Sequence, residues 1–284
     1  MSGVYGKSPG GMNKMERKNL VIVRGGGDLA TGTIARLHRC GLPVLVLETD
    51  HPTAIRRTVA FSEAVFTGEQ TVEDLTCRRV DTPAQALELI EQGGLPLLVD
   101  PAGDCIAQLR PAVVVDAILA KKNPGTHRDM APITIALGPG FTAGQDVDAV
   151  IETMRGHNLG RVLYEGTAMP NTGVPGVIAG HGADRVIHSP CGGMLRGVKK
   201  IGDVVQAGEP IAFVDETPVP ATFTGLLRGL IGDGEVQKGL KIADIDPRAD
   251  EYRNCFTISD KARAISGGVL EALFVLQRRK GLEW

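Results

Sequence analysis

Short apolar runs alternate with helical patterns of hydrophobic residues along the first half of the chain. Strands are predicted over residues 21–23, 43–47, 95–99, 111–116 and 133–137, and helices over 31–39, 83–92 and 146–154. Strands that alternate with helices are typical of a parallel sheet with helices on both faces. The pattern therefore predicts the α/β class, with a Rossmann-like doubly wound parallel sheet.

The first strand ends in a glycine-rich turn, Gly25-x-Gly27-x-x-Ala30, that leads into the first helix. In dinucleotide-binding units the first glycine allows the tight turn, the second lets backbone N–H groups approach a pyrophosphate, and the third small residue lets the helix pack closely. The helix N-terminus adds unpaired N–H groups and the positive end of its dipole. We expect nucleotide binding here; the alternative is a tight turn without a ligand. The expected contacts are Gly25, Gly26, Gly27, Asp28, Leu29, Ala30, Thr31 and Gly32.

Polar residues follow the ends of the later strands. Glu48 lies about 20 residues beyond the glycines, where Rossmann folds bind a ribose hydroxyl. Arg56 and Arg57 are either clamps for phosphate or carboxylate groups or a solvated basic pair. The strand over 95–99 delivers Asp100 to the same edge of the sheet.

A second glycine loop, with Gly138 and Gly140, stands between the strand over 133–137 and the helix predicted over 146–154. It is either a second phosphate-binding loop or a structural turn. Arg155 and His157 flank a glycine at the predicted end of that helix. They either donate to an anionic ligand or cap the helix.

The character of the chain changes to short strands and glycine turns between residues 191 and 246. An internal repeat of about 30 residues predicts two β half-units that must pack together to bury their apolar faces. This module resembles the barrel-sandwich fold of biotinyl and lipoyl carrier domains. Carriers present a modifiable lysine in the hairpin between the halves, but residues 217–221 contain none. A docking or structural role is therefore expected.

The last predicted element is a helix that Ser259 caps. Its apolar stripe at helical spacing is either core or the face of a homo-oligomer; the stripe is Ala262, Ile265, Val269, Leu273 and Leu276. The predicted organisation is a flexible leader over 1–17, a nucleotide-binding domain over 18–187, a β module over 188–250, and a C-terminal helix over 251–284 that packs on the core.

Composition narrows the class of partner. The chain has 31 basic and 33 acidic residues, which argues against nucleic acid and membrane surfaces as partners because these need a basic surplus. No apolar stretch of about 18 residues is present. Five scattered cysteines favour free thiols in a reducing cytoplasm. The spacing of His181, His188 and Cys191 matches no zinc pattern, so no metal site is assigned.

Six motifs together resemble the YqeB-type accessory proteins of selenium-dependent molybdenum hydroxylases. The resemblance covers nearly everything from Lys18 onward, and it rests on residues 24–32, 52–57, 138–144, 155–157, 244–248 and 258–265. It implies a role in equipping a molybdenum hydroxylase with its selenium and molybdopterin-dinucleotide centre. The implied partners are the hydroxylase and other maturation proteins.

A molybdopterin dinucleotide carries a pyrophosphate and a ribose, which the glycine turn and Glu48 are suited to bind. Arg56, Arg57 and Arg155 would offset the remaining phosphate charge. Whether the protein is an enzyme stays open. If it transfers selenium or sulfur covalently, Cys255 or Cys191 is the candidate carrier, with His157 as a further catalytic candidate; a buried, inert Cys255 is the alternative.

Two other functions remain open. An NAD(P)-dependent oxidoreductase could use the same fold, although no Tyr-x-x-x-Lys or His-Asp constellation stands out. A non-catalytic docking protein would use the β module to bind the hydroxylase and would have no affinity for nucleotides.

Overall fold

A nine-stranded sheet dominates the structure, a computed structural model that describes residues 19–173 and 177–283. The leader predicted over 1–17 lies outside the described residues. The first eleven strands are β1 Val21–Arg24, β2 Val44–Glu48, β3 Glu69–Val72, β4 Leu75–Val80, β5 Leu95–Val99, β6 Val113–Asp116, β7 Ile133–Leu137, β8 Thr142–Ala143, β9 Ala149–Ile151, β10 Val162–Leu163 and β11 Gly166–Thr167. The large sheet has the order β10-β9-β7-β6-β1-β2-β5-β4-β3, and β8 pairs with β11.

Most neighbours in the large sheet are parallel. Antiparallel pairing occurs where β3 meets β4 and where β9 meets β10, at the two edges of the sheet. Val21 and Val23 face one apolar core, and Ile22 faces the other. Because successive side chains of a strand point to opposite faces, a run of apolar residues marks a strand that is buried on both sides.

Five α-helices of the described residues cover these faces. They are α1 Asp28–Arg39, α2 Ala64–Thr67, α3 Pro83–Glu91, α4 Cys105–Leu109 and α5 Asp260–Arg279. Single 3-10 turns occur at Arg57–Val59, Phe61–Glu63, Arg128–Met130, Ala183–Arg185 and Tyr252–Cys255. The Ser259 side chain accepts a hydrogen bond from the Ala262 amide, as predicted, and the apolar stripe of α5 is buried in the core.

The helix predicted over 146–154 is wrong. This segment contains β9 instead, which pairs with β7 and β10. The Asp146 carboxylate accepts a hydrogen bond from the Thr142 amide at 2.7 Å and closes a turn there. Residues 147–153 are all buried, and strand pairing satisfies backbone groups of β9. Arg155 and His157 therefore lie in a loop and cap no helix.

The β module forms two four-stranded sheets around an apolar core of its own. Their orders are β12-β19-β17-β14 and β16-β15-β13-β18, with β12 Val186–His188, β13 Gly193–Gly197, β14 Val204–Val205, β15 Pro210–Val214, β16 Thr217–Pro220, β17 Gly225–Leu230, β18 Gly234–Val236 and β19 Lys241–Asp246. The hairpin expected over 217–221 is a strand, because β16 pairs with β15 at the edge of its sheet. Prolines are tolerated on such an edge.

The predicted α/β class is confirmed at the level of a mixed fold with one large sheet, several small sheets and few helices. Leu230 of β17 binds the loop between β2 and the first 3-10 turn: its amide donates to the Ile55 carbonyl at 2.9 Å, and its carbonyl accepts from Arg57 Nε at 2.8 Å. These bonds bring the β module beside the carboxyl ends of the parallel strands.

Candidate functional site

The turn after β1 depends on Gly25. Its φ of +99° is rarely adopted by other residues, and a Cβ there would lie 2.9 Å from the Ala117 carbonyl oxygen. The Gly25 amide donates to the Leu47 carbonyl at 2.7 Å. A side chain is therefore excluded by both backbone conformation and space, and the turn lies tightly between the ends of β2 and β6.

Glu48 is bonded to this turn. One carboxylate oxygen accepts from the Gly26 amide at 2.7 Å and the other from the Thr49 amide at 2.8 Å. Burial raises the pKa of Glu48, while the two amides act in the opposite direction. The residue expected to bind a ribose thus also fixes the glycine turn, and each of its oxygens keeps acceptor capacity for a ligand hydroxyl.

Gly27 gives α1 an open N-terminus. Its backbone is extended, and no described side chain caps the helix. Apart from its two chain neighbours, an added Cβ would meet no described atom within 4 Å, unlike one at Gly25 or Gly26. The first N–H groups of α1 therefore face open space at the positive end of the helix dipole, which is a favourable place for an anion.

The remaining residues of the glycine turn have packing roles. The Thr31 hydroxyl donates to the Gly26 carbonyl and accepts from the Phe61 amide. A Cβ at Gly32 would lie 2.7 Å from Cβ of Ala262, so this glycine permits close contact between α1 and α5. Ala30 is buried in the core.

A cavity of about 420 Å³ opens in front of the turn, and we call it the glycine-turn cavity. Gly25, Gly27, Asp28, Glu48 and Arg56 line it, together with Ile118 and residues 51–55. The structure thus brings together one strand end, one helix N-terminus, an acid and a base that the sequence predicted.

Two further cavities adjoin it. The basic cavity, of about 820 Å³, shares Asp28, Arg56, Lys241 and Asp244 with the glycine-turn cavity. Its other charged residues are Arg155, Arg185, Arg228, Arg248, Asp260, Lys261 and Arg263. The methionine cavity, of about 460 Å³, shares Leu29, Arg155 and Lys261 with the basic cavity, and Lys121, Pro139, Met154 and Met169 also line it. The three cavities are contiguous because they share lining residues, and we call them the row of cavities.

Arg56 and Arg155 reach this row, whereas Arg57 does not line it. Arg56 lies 3.3 Å from Asp28 and donates to the Asn254 carbonyl at 2.8 Å. Arg155 makes a bidentate ion pair with Asp260, with N–O distances of 3.0 and 3.3 Å. Arg57 pairs with Glu63 at 3.0 Å and binds the β module.

Asp100 and the second glycine loop have local roles. The Asp100 carboxylate accepts from the amides of Gly103, Asp104 and Cys105. Burial opposes its charge, but these donors lower its pKa overall. A Cβ at Gly138 would lie 2.6 Å from Oγ1 of Thr153, and one at Gly140 would lie 3.2 Å from the Lys122 amide nitrogen. Of this loop, Pro139 lines the row of cavities.

The candidate carriers differ in exposure. Cys255 is fully buried, and burial raises the pKa of its thiol despite the charges of Arg228 and Arg56. Loss of solvent outweighs the nearby cations, which favours the buried, inert alternative for Cys255 over an activated thiol. Cys191 is partly exposed, and His157 lies exposed in a loop.

Sequence reasoning missed several cations of the basic cavity, notably Arg228, Lys241 and Lys261. They come from β17, β19 and α5, far along the chain from the glycine turn. It also missed a buried network in which Arg24 donates to the Thr126 hydroxyl at 2.6 Å, and this hydroxyl donates to Asp116 at 2.6 Å. The sequence signal that could have indicated this network is the position of Asp116 at the end of an apolar strand.

The described residues contain no group of three or more His, Cys, Asp or Glu side chains placed to hold a metal ion. Across 19–173 and 177–283, no helix has the length and apolar character needed to cross a membrane.

Comparison with known proteins gives one strong sequence match. The chain is 52% identical over 281 residues to a protein of Escherichia coli K12 described as "Uncharacterized protein YqeB". The match covers 97% of this chain and 52% of the relative, so the chain spans about half the length of the curated relative that it matches. This agrees with the YqeB resemblance of the motifs. No family model matches the chain.

Similarity to solved structures is weak. An aspartoacylase family protein from Mesorhizobium loti aligns with 80% of this chain and 84% of its own at 12% identity and a TM-score of 0.26. A succinylglutamate desuccinylase/aspartoacylase from Rhodobacter sphaeroides aligns with 80% and 85% at 16% identity, also with a TM-score of 0.26. Scores this low support no argument about fold or function.

Proposed function

We propose that this chain binds the molybdopterin dinucleotide at the glycine turn and serves as an accessory protein in the maturation of a selenium-dependent molybdenum hydroxylase. The observation that carries the nucleotide part is the open N-terminus of α1, where Gly27 leaves space in front of unpaired N–H groups. The role in maturation rests on the YqeB resemblance of the motifs.

The topology supports a Rossmann-like interpretation of the large sheet. The strands β5-β2-β1-β6-β7-β9 follow one another in space as the strands 3-2-1-4-5-6 of a dinucleotide-binding fold do. Order reverses at β1, and the glycine turn follows this strand. Ligands of open α/β sheets bind at this switch point, outside the carboxyl ends of the strands.

The row of cavities suits an elongated, multiply charged cargo. The pyrophosphate would lie at the α1 N-terminus, and the acceptor capacity of Glu48 would serve a ribose hydroxyl. Arg56 and Arg155 are positioned along the row to offset phosphate charge. This proposal assigns binding and delivery of the cofactor, and no covalent step.

The β module would provide the docking face for the hydroxylase. Its two four-stranded sheets and internal repeat support a barrel-sandwich-like interpretation. Because residues 217–220 form a strand without a lysine, a swinging-arm carrier role has no attachment point at the position where carriers present one.

Gly27→Asp tests nucleotide binding without a folding penalty. Aspartate is a preferred N-cap residue, so the variant should fold at least as well as the parent while its carboxylate occupies and repels the anion position. Native mass spectrometry and titration with cytidine and adenine dinucleotides would give the affinities. We expect selective cytidine-dinucleotide binding that weakens at least tenfold in Gly27→Asp.

Gly267→Ala is the matched control, since an added Cβ at this helical glycine would lie 3.8 Å from Nη1 of Arg36, an ordinary contact distance. It should bind like the parent. Preference for NAD(P) would favour the oxidoreductase, and absence of nucleotide binding would leave the docking protein. Either result overturns the proposal.

The maturation role needs a separate measurement. In cells that lack this protein, the hydroxylase should accumulate with less bound dinucleotide, and the parent chain should restore loading while Gly27→Asp does not. Full loading of the hydroxylase without the protein would contradict the role in maturation, even if the nucleotide affinity were confirmed.

A further inference from the structure

The basic cavity holds more positive charge than its own carboxylates balance. Eight arginine and lysine residues line it, against three aspartates. Most of the arginines have carboxylate partners: Arg185 pairs with Asp244, Arg248 with Asp246, and Arg263 with Glu73. Arg228 lies 3.6 Å from Asp246, which it shares with Arg248.

Lys241 and Lys261 remain without an ion pair among the described residues. Lys241 stands where the basic cavity joins the glycine-turn cavity, and Lys261 where it joins the methionine cavity. Burial, and after it the charge of Arg155, lowers the pKa of Lys261, although the charges of Asp28, Glu152 and Asp260 act in the opposite direction. Lys261 is half-buried and Lys241 is exposed. A bound anion would supply the ion-pair partner that both lack.

Two guanidinium groups of the cavity have unsatisfied donors. The Nε atoms of Arg56 and Arg228 are buried and lack a hydrogen-bond partner in the described part of the chain. These side chains are 11% and 13% exposed, and the charge of Arg228 contributes to a lowered pKa of Arg56, after the larger effect of burial. Two neighbouring like charges with free donors fit an anion that accepts several hydrogen bonds.

Two helix N-termini meet at the same cavity. Asp28 and Leu29 of α1 line it, as do Ser259, Asp260 and Lys261 at the start of α5. The close contact of Gly32 with Ala262 holds these helix ends together. Their dipoles add to the field of the side chains.

We propose that the basic cavity is a binding site for a phosphate group, distinct from the pyrophosphate position at Gly27. Lys261 and Arg228 are its principal ligands, with Arg56 and Lys241 at the side that faces the glycine turn. The phosphate belongs either to the far end of the cargo or to a second, separate ligand. The site itself does not require that the proposed nucleotide function is correct.

The test is calorimetric titration of the full chain with inorganic phosphate. We expect binding by the parent that weakens at least tenfold in Lys261→Gln, which removes a charge without breaking an ion pair among the described residues. Arg228→Gln should weaken binding similarly. Lys238→Gln, at an exposed lysine in the turn between β18 and β19, is the matched control and should leave the affinity unchanged.

Gly27→Asp separates this site from the proposed nucleotide site. If phosphate binds this variant normally and Lys261→Gln poorly, the basic cavity holds the phosphate. If phosphate fails to bind the parent, or if its affinity depends on Gly27 and not on Lys261, the inference is wrong, while the nucleotide proposal stands on its own titration. Circular dichroism confirms that each variant is folded.

A competition experiment distinguishes the two sources of the phosphate, which are the cargo and a second ligand. If the cargo itself supplies the phosphate, saturating inorganic phosphate should weaken dinucleotide binding. If the phosphate belongs to a second ligand, both should bind together.

Discussion

At the scale of single residues, Asp148 joins the end of α5 to the sheet. Its carboxylate accepts from Lys280 Nζ at 2.7 Å, from Arg128 at 2.9 Å and from the Thr134 amide at 3.0 Å, and its side chain is 2% exposed. Burial opposes ionisation, but these donors together lower the pKa of Asp148. The buried charge is therefore satisfied in the folded state.

Asp148→Asn should lower the free energy of unfolding at pH 7 by about 1–3 kcal/mol, because charge-assisted hydrogen bonds are lost at a buried position. A lowered folded pKa stabilises the protein above the ordinary pKa of 3.8, and this stability disappears as the pH falls below that value. Urea unfolding from pH 7 to pH 3 should show that the difference in unfolding free energy between parent and variant decreases as the pH falls.

The exposed Asp129→Asn is the matched control and should leave the urea midpoint unchanged. If the difference in unfolding free energy between the parent and Asp148→Asn stayed constant down to pH 3, the charge of Asp148 would not be the source of the stability.

The thiols give a second prediction at this scale. Cys40 is exposed, whereas Cys77, Cys105 and Cys255 are buried with raised pKa values. A disulfide reagent should therefore modify Cys40 rapidly in the native protein, and Cys40→Ser should remove that fast phase. If Cys255→Ser removed the fast phase instead, Cys255 would be the reactive thiol and a candidate for covalent transfer.

At the scale of elements, the crossing of α1 and α5 brings their N-termini together. Gly32 permits this contact, since a Cβ there would lie 2.9 Å from the Ala262 carbonyl oxygen. Alanine at a helical glycine normally stabilises by about 0.5–1 kcal/mol, but a forced shift in a packed core costs about 1–3 kcal/mol. The space at the helix crossing therefore decides whether an alanine substitution stabilises or destabilises the protein.

Gly32→Ala should therefore destabilise the protein, whereas Gly267→Ala, with space at the same type of position, should stabilise it. Urea unfolding midpoints measure both changes. If Gly32→Ala raised the midpoint as Gly267→Ala does, the close packing of α1 on α5 would be contradicted.

The elements also show what sequence patterns can predict. The stripe of α5 spans 15 residues at helical spacing, so its burial could be predicted. The strand within 146–154 could not be predicted, because Val147, Val150, Ile151 and Met154 also fit helical spacing within a run too short to exclude a strand. Its pairing with β7 and β10 depends on tertiary structure.

At the scale of the whole molecule, the candidate site lies between the large sheet and the β module. Gly25, Gly27, Glu48 and Arg56 could be predicted because they follow two adjacent strands of one βαβ unit. The cations from β17, β19 and α5 could not, since only folding brings those distant segments to the glycine turn. Most of the charged residues that line the row of cavities could therefore not be predicted from the sequence.

Gly229 controls the position of the β module, because a Cβ there would lie 2.6 Å from Cγ2 of Ile55. Gly229→Ala should push the module away from the loop over 52–58 and weaken nucleotide binding several-fold without touching the ligand. Gly232→Ala, where an added Cβ would lie 3.8 Å from Cδ of Arg57, is the control. Equal affinities by calorimetry for both variants would show that the module does not shape the site.

The most direct test of the account is the response of backbone amides to a dinucleotide. We predict that a cytidine dinucleotide shifts the amide resonances of Gly27, Asp28 and Leu29, and that these shifts are absent in Gly27→Asp. Saturable binding that leaves those three amides unchanged would place the ligand elsewhere and contradict the central claim.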